Sequence, residues 1–176
     1  EVTAAAIVAH PYHHSTIGWR SDIEKVPIEK LREFYDTFYW PNNATVTVIG
    51  DFQPAQALEL IRRHFGAIPR SPKPLPTVYT EEPTQAGARR VVVKRPGEVG
   101  VVQIAHKTPS ATHPDHAPLE VVSTILSTGK TSRLYRALID KNLAIGVESS
   151  KGFFRDSFLF NTTVMLAPGV RSEEHT

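Results

Sequence analysis

The chain has 176 residues, 20 basic and 18 acidic side chains, a net charge of +2, an apolar content of 40% and no cysteine. That is enough apolar material for one or two small domains, and its scattered charge, with no basic block and no Lys/Arg interleaved with aromatics, argues against nucleic-acid binding. The missing thiols exclude disulfides, thiolate zinc sites and a cysteine nucleophile but leave periplasm and cytoplasm equally open, and no apolar run reaches the length of a membrane span.

Val2–Ala9 is Ala-rich and predicts the end of a helix that Pro11 stops, with His10-Pro11-Tyr12-His13-His14 leading into a loop. Pro27 suits a first helical position and Glu29 a first turn, and Leu31, Phe34, Tyr35 and Phe38 recur as one buried face. Pro41-Asn42-Asn43 ends that helix. Thr45–Ile49 is β-branched and predicts a strand, turned by Gly50-Asp51; Pro54 then opens a helix burying Leu58, Ile61 and Phe65 and stopping at Gly66.

Five prolines between Pro69 and Pro83 make Pro69–Gly87 a stiff, extended connector. Beyond it, Arg90–Lys94 and Val99–His106 predict two strands hinged at Pro96-Gly97. Pro114-Asp115 starts a helix with Leu119, Val122, Ile125 and Leu126 inward, and Thr131-Ser132 caps another through Leu134, Leu138 and Ile139. Leu143–Ser150 and Phe158–Ala167 close the series as strands. The order predicts an α+β fold with a largely antiparallel sheet, not a doubly wound one. Two hydrophobic clusters are expected, around Leu31, Phe34, Phe38, Val48, Ile61 and Phe65, and around Val92, Ile104, Val122, Ile125, Leu138, Val147 and Phe160.

Several short segments, in order, resemble one known family. They are Gly18-Trp19 with Ser21-Asp22-Ile23, Phe34-Tyr35, Tyr39-Trp40-Pro41-Asn42-Asn43-Ala44-Thr45, and Val48-Ile49-Gly50-Asp51-Phe52. They continue as His64-Phe65-Gly66-Ala67-Ile68-Pro69, Glu82-Pro83 and Arg89-Arg90-Val91. The last are Ser132-Arg133-Leu134-Tyr135-Arg136-Ala137-Leu138, Leu143-Ala144 and Ala167-Pro168-Gly169. Each is weak alone, but their order across the chain resembles the insulinase/pitrilysin zinc metallopeptidases.

The resemblance implies two partial, similar α+β domains, each with helices on a largely antiparallel mixed sheet. Residues 1–68 would end the first domain, 69–87 would be the linker, and 88–170 would begin the second. It implies a two-half chamber that takes a peptide substrate as an extended strand. It also implies zinc in the parent protein, held by His-x-x-Glu-His and a later glutamate that belong upstream of this stretch. There zinc would polarise the scissile carbonyl and activate water, with the motif glutamate as general base. No catalytic or metal-binding residue of that set is in the chain, which by itself is expected to be inert. The alternative is a zinc-free partner or structural subunit of the same family; an unrelated α+β binding module would lack the ordered segments.

The site residue the resemblance offers is Arg133, which would meet a substrate carbonyl or carboxylate at the chamber wall. Read from the residues alone, Ser132 is a cap and Arg133 a solvated neighbour. Many relatives carry a substrate-binding arginine and a tyrosine directly after the Leu-Ala pair. Here Ile145 follows Leu143-Ala144 and Ile139 stands about where the arginine belongs, so the pair is expected to be absent. That pattern is similar to members whose site is completed by a partner subunit, and a family partner or a homodimer is accordingly expected.

Two other motifs invite a metal. His10, His13 and His14 are imidazoles in one short stretch, but Pro11 breaks the spacing that would align His10 with His14, and a polar turn is the expected role. Arg171-Ser172-Glu173-Glu174-His175 is one residue from His-x-x-Glu-His, yet arginine has no lone pair to give a metal. Residues 171–176 match the translation of a sequencing-library adapter and are expected to be foreign to the fold, and the start at Glu1 falls inside a helix.

Overall fold

The computed structural model of this chain describes residues 1–171. Residues 172–176, the greater part of the segment expected to be foreign, lie outside the described residues. Two compact units form: one unites Glu1–His14 with the chain from Thr80 onward, and the other is Ser15–Tyr79. The packing cuts across the expected grouping of residues 1–68, because Glu1–His14 is bonded to residues far along the chain.

The unit containing both ends is built on three antiparallel strands. They are β1 (Val101–Thr108), β2 (Ala144–Lys151) and β3 (Phe158–Leu166), in the order β1-β3-β2. The central strand pairs Val164 with Val102 on one side and Val147 on the other, so three valines lie in one row across the sheet. Ala144, Val164 and Leu166 form a buried cluster with Val102, Leu138, Ile139, Val147 and Val170 against it. Leu159 and Phe160, also on β3, are buried, and a bulge between Ala144 and Gly146 bends β2 at this cluster.

Helix α1 (Val2–Ala6) is shorter than the expected Val2–Ala9 and gives way to extended backbone at Ile7, with a 3₁₀ turn over Pro11–His13. A later helix, His116–Ser127, packs on β2. The helix expected after Thr131-Ser132 forms over residues 133–139, but after one short α-helical step it widens into a π-helical turn, Tyr135–Ile139, with Asp140 N–H donating to Tyr135 C=O at 3.1 Å. No side chain caps it, and the Ser132 hydroxyl is buried without a hydrogen-bond partner among the described residues. Asn142 then takes φ +58°, a left-handed conformation asparagine tolerates, and turns the chain into β2.

Two expected strands do not form. Arg90–Lys94 has no ladder, and β1 pairs with β3 rather than with the residues before Pro96-Gly97, so there is no hairpin there. The second cluster is correspondingly centred on β3 and β2, while Val92, Ile104, Val122 and Ile125 stay exposed.

The Ser15–Tyr79 unit is helical: α2 (Arg20–Lys25), α3 (Ile28–Phe38) and α4 (Pro54–Phe65), with a 3₁₀ turn at Pro41–Asn43. Numbering onward, His116–Ser127 is α5. Helix α2 is an element the sequence pattern did not mark. Thr45–Ile49 carries no ladder and Ile49 is 92% exposed; a β-branched run becomes a strand only where a neighbouring strand takes its amides and carbonyls, and this unit supplies none. Leu31, Phe34, Leu58 and Phe65 are exposed on α3 and α4, so the first expected cluster is not assembled. On α3 the aromatic face is ordered within itself, with Phe34 against Phe38 and Tyr35 stacked on Tyr39 at 4.8 Å.

Candidate functional site

Arg133 is exposed just ahead of the π-helical turn and makes no ion pair among the described residues. Its neighbour Ser132 is buried, and the Ser132 backbone is held at both ends: its N–H donates to Gly129 C=O and its C=O accepts from Arg136 N–H, each at 3.2 Å. A fixed backbone thus presents a guanidinium to solvent. Ile139 packs against the Ala144–Val164–Leu166 cluster, whereas Ile145 is exposed on the outer face of β2. The two isoleucines therefore occupy one inner and one outer position, and neither offers a polar group.

The three early histidines do not converge. His10 Nδ1 accepts from Tyr12 N–H at 3.2 Å, with Nε2 3.7 Å from Asp156, while His13 Nδ1 donates to Ile7 C=O at 2.5 Å. His14 meets the His13 ring edge-on. Among the described residues no group of three His, Asp or Glu is placed to hold a metal.

Two polar constellations had no signal in the sequence pattern. Glu82 is largely buried, and its carboxylate accepts from the backbone N–H groups of Val8, Ala9 and His10 at 2.9–3.1 Å and from Lys107 Nζ at 2.7 Å. Burial pushes this carboxyl up, but the Lys107 hydrogen bond and those of the Ala9, His10 and Val8 amides outweigh it and hold it at about 2. Lys151, buried at the end of β2, lies 2.6 Å from His116 Nδ1 at the start of α5. In both cases the partners are far apart in sequence, so no local spacing could announce them. The Glu82-Pro83 pair was visible only as a fragment of the family pattern.

No helix among the described residues is long and apolar enough to cross a membrane. The sequence pattern of the family described as the peptidase M16 inactive domain matches residues 25–174. The chain is 34% identical to the zinc protease PqqE of Helicobacter pylori over 96% of its own length and 38% of that protein. An uncharacterized zinc protease of Mycobacterium leprae is 26% identical over 94% of the chain, again spanning 38% of the relative. Among solved structures, a protease from Helicobacter pylori superposes with a TM-score of 0.90 at 33% identity, covering 98% of this chain and 42% of that one. A peptidase M16 inactive domain from Pseudomonas fluorescens shares the fold, with a TM-score of 0.81 at 20% identity over 94% of this chain and 40% of that one. The chain thus spans about two fifths of the length of these relatives.

Proposed function

The chain belongs to the peptidase M16 family of insulinase/pitrilysin-type zinc proteases, and from that membership we propose that it is a non-catalytic part of a zinc metalloendopeptidase. Its task is to help hold an extended peptide in a two-half chamber whose zinc is bound by residues outside this stretch. The observation that carries this reading is the match of residues 25–174 to the domain described as the peptidase M16 inactive domain. In this reading one family domain ends before the connector 69–87 and the second begins after it, and Glu1–His14 packs with residues from Thr80 on.

Arg133 is the residue proposed to touch the peptide. Its exposed guanidinium has no intramolecular carboxylate among the described residues and suits a backbone carbonyl or a carboxylate. Peptide addition to a sheet edge is favoured at β1, which has a strand on one side only. The edge of β2 is occupied at Ser149, whose N–H donates to Ser127 Oγ and whose C=O accepts from Ser123 Oγ, both at 2.8 Å.

The test compares the whole protein with this chain. The whole protein should cleave an unstructured peptide in a chelator-sensitive way, and the chain supplied with zinc should leave it intact. Arg133→Ala in the whole protein should raise KM more than it lowers kcat. Zinc-dependent cleavage by the chain alone would overturn the reading. The alternative, a zinc-free partner or structural subunit, is favoured by Ile139 and Ile145 at the positions where relatives carry the substrate-binding pair. A degraded His-x-x-Glu-His upstream would decide for it, and an intact one for the peptidase.

A further inference from the structure

Glu82 has no place in the proposed chemistry, yet its carboxylate is bonded to three successive backbone amides and to a lysine. The chain path gives this cluster its meaning. The unit that holds both ends is left after His14 and rejoined at Thr80, with Ser15–Tyr79 folded as the excursion between. Val8–His10 lie just before the exit and Glu82 just after the return. We propose that Glu82 is a fastener that ties the outgoing segment to the returning one and closes the base of the Ser15–Tyr79 excursion.

The chemistry suits that task. Val8, Ala9 and His10 follow α1 with their amides turned to one side, a small anion cradle that an internal carboxylate fills. Lys107, on β1, adds the counter-charge, so the knot is anchored to the sheet and not merely to another loop. Pro83 biases the backbone of Glu82 towards extended geometry, and its carbonyl accepts from the same lysine at 3.2 Å. Arg89 Nη1 donates to Ala5 C=O at 2.9 Å, and Tyr12 lies edge-on to Phe154 and Phe158. These further contacts hold the first residues to the same unit, so losing Glu82 should open the knot without unfolding the sheet.

Hydrogen exchange and spin-label distances in the whole protein test this, and neither depends on zinc or on peptidase activity. The Val8, Ala9 and His10 amides should be protected, and Glu82→Ala should speed their exchange by about tenfold or more while β3 amides stay unchanged. Labels at His14→Cys and Glu81→Cys, exposed on the outgoing and returning segments of the same unit, should show a distance distribution that broadens in Glu82→Ala. Lys107→Met, which leaves the amide bonds, should give a smaller change in the same direction. If Glu82→Ala fails to fold, Glu82→Gln and Lys107→Met carry the same comparison. Unprotected amides in the unaltered protein would overturn the proposal, as would faster exchange without any broadening.

Discussion

Lys151 Nζ lies 2.6 Å from His116 Nδ1, joining the last residue of β2 to the first of α5. With the ammonium donating, the imidazole must offer its lone pair at Nδ1 and carry its proton on Nε2, which faces Glu120 Oε1 at 3.9 Å. The Phe153 ring meets this imidazole edge-on. A buried cation thus finds a neutral acceptor.

His116→Ala should therefore destabilise the sheet-containing unit by roughly 1–3 kcal/mol, the cost of leaving a buried donor unsatisfied. Lys151→Met should cost less, and the double variant should regain most of the loss. Denaturant midpoints of the four proteins measure the coupling.

The serines of α5 act on β2 in a similar way. Ser149 is buried and exchanges both of its edge-facing backbone groups with Ser127 and Ser123, while its own hydroxyl lies 3.0 Å from Thr162 Oγ1 on β3. Ser127→Ala strips the acceptor from a buried N–H and should cost about 1–3 kcal/mol. Ser123→Ala removes only a donor to a carbonyl that also lies 3.5 Å from Ser127 Oγ, and should cost less. The Ser149 amide should exchange faster in the first variant alone.

Packing separates the two units by their response to truncation. Leu159 is 1% exposed at the centre of the sheet, and Leu159→Ala should cost about 2–5 kcal/mol. Phe34 is 56% exposed on α3, and Phe34→Ala in this chain should cost far less. The same exposure of Phe34, Leu31, Leu58 and Phe65 should make the chain bind a hydrophobic dye, and polar substitutions along α3 and α4 should weaken that binding.

Acid should act through Glu82. Its folded value, about 2, lies below its ordinary 4.5, so its contribution is complete above about 4.5 and is lost as pH falls towards about 2. Lys107 faces the carboxylate from β1, and His10, whose amide it also holds, pairs with Asp156. Glu82→Gln should flatten the acid limb of the stability curve and leave the slope near neutrality unchanged. An unaltered acid limb would show that the carboxylate is not held as described.

The sequence by itself determined the elements whose signals are local. Leu143–Ser150 and Phe158–Ala167 were legible as the strands β2 and β3, the apolar face spaced along residues 28–38 marked α3, and Pro54 marked the start of α4. The order of the elements carried the α+β class, and the ordered segments from Gly18 to Gly169 carried the family. The tertiary structure decided what depends on distant partners. Thr45–Ile49 and Arg90–Lys94 have the side chains of strands, but no ladder reaches them, and β1 found its partner in β3, far along the chain. Thr131-Ser132 has the chemistry of a helix cap and a helix does start at Arg133, yet the buried Ser132 hydroxyl bonds no amide and the helix winds on as a π turn. Glu82 was marked only as part of the family segment Glu82-Pro83, not by its role: its partners at Val8–His10 lie more than seventy residues earlier, and only folding brings them within hydrogen-bond reach. Periodicity records which face of an element is apolar, but the choice of neighbour is made by contacts that no short window of sequence contains.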